Sequence, residues 1–98
     1  MVERRFAVSG TVSEAEARCR RLLPSVAEER ATSQEAGMTV IEAVTPMNWR
    51  SSGTVLRIEL IPTGNGTDVN LVAWPGSQLF DWGESKRLVD HMTNALSA

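Results

Sequence analysis

Hydrophobic positions recur along this chain with two different periods, and the switch between them lays out the fold. From Thr54 to Ile61 the period is two. Leu56, Ile58 and Leu60 alternate with Val55, Arg57, Glu59 and Ile61, as in a strand buried on one face. Thr67 to Trp74 repeats the pattern, with Val69, Leu71 and Ala73 set against Asp68, Asn70, Val72 and Trp74. Between the two runs stands Asn65-Gly66, a strong signal for a two-residue hairpin turn. With Asn65 and Gly66 as the central residues, Gly64 pairs with Thr67. Leu60 then faces Leu71, Ile58 faces Ala73 and Pro62 faces Val69, so inward residues meet inward residues. The same register sets Glu59 opposite Val72 and Arg57 opposite Trp74 on the other face.

Other strands read less strongly. Glu3 to Ser9 places Arg4, Phe6 and Val8 on one face and ends at Gly10; Met38 to Val44 is rich in β-branched residues. Ala27 to Ser33 reads as a short edge strand, Gln34 to Gly37 as a turn, and Thr45 to Gly53 as a loop. Helical spacing appears twice. Ala15, Cys19, Leu22, Leu23 and Val26 form one stripe, opened by Ser13 and Glu16 at capping-box spacing and stopped or kinked by Pro24 near Leu23. Ser85, Leu88, Val89, Met92, Ala95 and Leu96 form the second stripe. Asp81 stands at its N-cap, Glu84 follows three residues on, and Lys86 and Asp90 are spaced to pair. The order is β-α-β-β-β-β-α in a single domain, 1–98. Two amphipathic helices cover one face of one sheet, so the fold class is α+β: a two-layer arrangement of an antiparallel sheet with two helices on one face.

Composition narrows the function. A formal charge of −2 and a pI of about 5.3 do not suit nucleic acid, and acids dilute the basic clusters Arg4-Arg5 and Arg18, Arg20, Arg21. No apolar run approaches the roughly 20 residues of a membrane span. The N-terminus lacks the apolar core of a signal peptide, and the single cysteine fits a reducing compartment, so a cytoplasmic protein is expected.

No catalytic, metal or cofactor residue stands out. Cys19 lies on an apolar stripe and reads as a buried structural thiol. His91 is the only histidine, too few for a zinc site, and reads as solvated. Glu42, Glu59 and Asp68 lie on strands without a facing carboxylate partner, as glycoside hydrolysis would need. Thr63-Gly64-Asn65-Gly66-Thr67 leads into a strand, so it is a turn and not a phosphate cradle. Asp81-Trp82-Gly83 reads as a helix start with Trp82 packed across the sheet edge, or as a lid over a cavity.

The residues Leu79-Phe80-Asp81-Trp82-Gly83-Glu84-Ser85-Lys86, with the hairpin before them, resemble an uncharacterised family of small bacterial domains. Its members carry a D-W-G-x-x-K helix opening. The Trp-Gly pair that members often carry ahead of the hairpin is displaced or absent here, where the chain reads Trp49-Arg50-Ser51-Ser52-Gly53. The resemblance implies a fold and a bacterial source but no activity. The layout is also similar to a shortened helix-grip (START-like) domain.

Two functions are therefore expected. In the first, the chain is a non-enzymatic interaction module. Val55, Arg57, Ile61, Val72 and Trp74 point away from the helices, and with Val40 and Val44 they form an unusually apolar outer face for a protein partner or a homodimer. Trp74, stacked with Arg57 and flanked by Val72 and Val55, would be its anchor. In the alternative, a small apolar ligand is carried between the sheet and the last helix, lined by Trp82, Leu88 and Met92.

Overall fold

The computed structural model describes residues 1–46, 53–76 and 83–97. Its strands are β1 (Val2–Val8), β2 (Glu28–Glu35), β3 (Met38–Val44), β4 (Thr54–Thr63) and β5 (Gly66–Pro75). The helices are α1 (Val12–Leu22), continued by a 3-10 turn at Leu23–Ser25, and α2 (Glu84–Ser97). The strands form one antiparallel sheet in the order β1-β5-β4-β3-β2, so the first strand joins the sheet beside the last. This is the α+β fold and the element order that the periodicities predict.

Both helices lie on one face. Leu56, Ile58 and Leu60 of β4 and Leu71 of β5 are fully buried against Cys19, Val89 and Met92 of the helices, in one hydrophobic cluster. Burying each such large aliphatic side chain contributes about 1.5–3 kcal/mol. Polar ties fix the layers in place. Arg4 of β1 pairs with Asp90 of α2 at 2.6 Å, and Lys86 reaches the same carboxylate at 2.7 Å. Arg18 donates to the carbonyls of Ser9 and Leu96, joining α1 to the end of β1 and to the last turn of α2.

Three expectations are corrected. First, α1 is capped by Thr11 and not Ser13. The Thr11 hydroxyl accepts from the Glu14 backbone N–H at 3.1 Å, and Glu14 Oε1 accepts from the Thr11 N–H at 3.0 Å. The capping box therefore sits two residues earlier, while Glu16 pairs with Arg20.

Second, the β4–β5 hairpin turns at Gly64-Asn65. Leu60 faces Val69, Ile58 faces Leu71 and Leu56 faces Ala73, a shift of two residues that keeps every side chain on its expected face. Neither Gly64 nor Asn65 takes the positive φ that a type I′ turn demands. The Thr63 hydroxyl accepts from the Asn65 N–H at 3.3 Å, and Gly66 falls at the fourth turn position, where type I turns favour glycine.

Third, β2 runs to Glu35, past the expected end at Ser33, and all eight of its residues are exposed. The proposed Asp81 cap, Trp82 and Trp49 lie outside the described residues.

Candidate binding face

The sheet face opposite the helices is built by register. Row by row, Ser33, Val40, Glu59, Asn70 and Arg5 stand side by side, followed by Ala31, Glu42, Arg57, Val72 and Glu3. Val44, Val55 and Trp74 form the next row at one end of the face. All five expected residues, Val55, Arg57, Ile61, Val72 and Trp74, lie on this face and are half-buried. The expected Arg57–Trp74 pair does not form. Arg57 opposes Val72, and Trp74 opposes Val55, because the turn sits one residue earlier in the chain.

Arg57 is instead the hub of an ionic network. Its Nε bonds Glu59 at 2.8 Å, its Nη2 reaches Glu35 of β2 at 3.3 Å, and its Nη1 lies 3.6 Å from Glu42 of β3. The bond to Glu59 is the main reason its guanidinium is held even more firmly protonated than usual. Glu59 in turn accepts from the Asn70 side-chain amide at 2.9 Å, and the same amide nitrogen donates to Glu3 of β1 at 2.9 Å. The Asn70 bond, then Arg57, holds the Glu59 carboxyl below the usual range. A continuous chain of polar contacts thus touches all five strands. The pair Arg57–Glu35 spans from β4 to β2, over β3, where Val40 is only 1% exposed. Val40 therefore adds no apolar surface, and the face is ionic in the middle and apolar at its Val44–Val55–Trp74 end.

Charge is divided between the two sides of the sheet. Glu3, Glu28, Glu35, Glu42, Glu59 and Asp68 lie on the outer face with Arg5, Arg57 and the bulge residue Arg30. On the helical side Arg4, Arg18, Arg20 and Lys86 stand with Glu14, Glu16, Glu29 and Asp90, so charge there is near balance. The outer face is thus the acidic one.

The other candidate positions fall elsewhere. Leu88 and Met92 are 8% and 0% exposed within the core cluster, where they fill the layer between sheet and helix. Cys19 is fully buried, and burial pushes its thiol up to about 11. His91 is exposed on α2. The 63–67 turn lies beside the start of α1, across a cleft lined by Gly10 to Ser13, an arrangement invisible in the local sequence. Glu14 occupies that helix start and makes it unfavourable for an anion. Among the described residues, no group of three or more His, Cys, Asp and Glu is placed to hold a metal ion. No helix among them is long and apolar enough to cross a membrane.

Glu3 and Asn70 are the participants that periodicity does not reveal. Asn70 reads as an ordinary solvent-facing strand residue, and its partner Glu3 lies 67 residues away in the chain. Comparison with protein-family models, with curated proteins and with solved structures gave no match.

Proposed function

We propose that this chain is a non-enzymatic interaction module that receives another protein on the outer face of its sheet. The observation that carries this reading is the row Val44–Val55–Trp74, three half-buried apolar side chains in register at one end of a face that neither helix covers. Trp is the residue most characteristic of interface hot spots, and an apolar anchor beside a polar surround is the usual anatomy of such a contact. The acidic face favours a foreign partner over a second copy, because two such faces brought together would oppose like charges. A general-acid role for Glu59 is disfavoured. A general acid needs a raised carboxyl pKa, whereas Glu59 is held low by Asn70 and Arg57.

Photo-crosslinking tests the proposal. A benzophenone amino acid placed at Ile61 or Val72, and for comparison at Arg21 on α1, is irradiated in cells of the source organism. The expected result is a discrete adduct from Ile61 and Val72 that is absent from Arg21 and lost on Trp74→Ala. Adducts that are indifferent to the face, or that persist in Trp74→Ala, would rule it out.

A further inference from the structure

The sheet ends in two unequal edges. β2, at one end, carries a bulge between Glu29 and Ala31, and all of its residues are exposed. β1, at the other end, pairs with β5 from Val2 to Val8 without a shift of register, and among the described residues no strand lies on its outer side. Val2, Phe6 and Val8 point to the helical side and pack against the core, yet each is only half-buried. An edge strand presents a row of unpaired backbone N–H and C=O groups, which natural sheets guard with prolines, bulges or inward-pointing charges. β1 has neither proline nor bulge. Its one inward charge, Arg4, is taken up by Asp90 of α2 at 2.6 Å. On the other face of the strand, Glu3 and Arg5 are exposed. Among the described residues neither makes an ion pair: Glu3 accepts from the Asn70 amide, and Arg5 acts on Glu59 only at a distance.

We infer that β1 pairs with β1 of a second copy, antiparallel and about a twofold axis at Arg4, joining the two five-stranded sheets edge to edge. Residues directly opposite on paired strands share a face, so the register must set odd positions against odd and even against even. With Arg4 on the axis, Glu3 of each copy faces Arg5 of the other, and Val2 of each faces Phe6 of the other. The strand is thus complementary to itself in charge on one face and in apolar surface on the other. Moving the axis to Glu3 or to Arg5 opposes like charges there and sets Arg4 against Val2 or Phe6. Arg4 does meet its own copy on the axis, a repulsion offset by the Asp90 carboxylate beside each guanidinium. The two copies lie side by side and not face to face. Their acidic outer faces stay open, so the inference stands apart from what docks on them.

Sedimentation velocity of the whole chain from about 5 to 500 μM tests this, a range set by a seam at the small end of specific interfaces. A reversible monomer–dimer equilibrium is expected. Arg5→Glu and Glu3→Arg each oppose like charges across the seam and should weaken dimerisation at least about tenfold. An equimolar mixture of the two variants should recover it, because every reversed charge then faces its opposite. Both positions are exposed, and urea midpoints check that each variant folds. A readout on the wild type needs no variant: backbone amide exchange in β1 should slow from the dilute to the concentrated sample, while that in β2 stays the same. A wild type that remains monomeric throughout, a dimer indifferent to both reversals, or folded variants that do not recover on mixing would overturn the inference. So would protection that grows on β2 and not on β1.

Discussion

Cys19 and Thr11 show opposite limits of reading single residues. The apolar stripe of α1 placed Cys19 inside, and its full burial follows from that spacing alone. Burial also sets its chemistry: with the thiol pushed up to about 11, little thiolate is present at neutral pH. Labelling by a thiol reagent at pH 7.4 should be at least about a hundredfold slower in the native protein than in the chain unfolded in guanidinium. Comparable rates would show that α1 does not pack as described. The helix cap was less legible, because Thr11-Glu14 and Ser13-Glu16 both satisfy the same spacing. The choice is made by Gly10, which turns the chain at φ +98° directly after β1, so that the helix must begin at once. Glu16 is then free to pair with Arg20.

At the scale of elements, alternation assigned β4 and β5 to their faces, but the turn decided which residues are neighbours. A shift of two residues preserves the faces, so hydrophobic pattern cannot detect it. What selects the observed register is partly tertiary. A Cβ on Gly66 would lie 2.4 Å from the carbonyl oxygen of Val8, so the hairpin base presses against the end of β1. Gly66→Ala should therefore destabilise the protein by about 1–3 kcal/mol, as overpacking does. At Gly64 an added Cβ meets nothing within 4 Å, and Gly64→Ala should stay within about 0.5 kcal/mol of wild type. Urea midpoints of the two variants check this; equal midpoints would mean that the hairpin base does not press against the end of β1. The edge strand β2 was only partly legible because neither of its faces is buried, so it carries no alternation. Pairing with β3 holds it, while its charged residues and the bulge between Glu29 and Ala31 guard the open edge.

At the scale of the whole molecule, side chains of the candidate face are brought together by the β1–β5 pairing, which joins the first strand to the last and has no local signature. Hydrogen-bonded carboxylates on both sides of the sheet shape the response to pH. Asn70 and Arg57 hold Glu59 low, Thr32 and Arg20 do so for Glu29, and Lys86 and Arg4 for Asp90. A carboxyl whose folded pKa lies below its unfolded value contributes stability that is present above the unfolded value, about 4, and lost as pH falls through the folded one. Cys19 has the opposite sign. Its contribution is complete below the unfolded thiol value of about 8.5 and is lost as pH rises towards about 11. Urea midpoints should therefore form a plateau between about pH 5 and 8, falling on both sides. Glu59→Gln should flatten the acid limb without altering the alkaline one, since it removes one titrating group from the Asn70–Arg57 chain. Cys19→Ala should flatten the alkaline limb alone, whatever its effect on the plateau height. An acid limb unchanged in Glu59→Gln would mean that the contacts across the outer face are not maintained in solution.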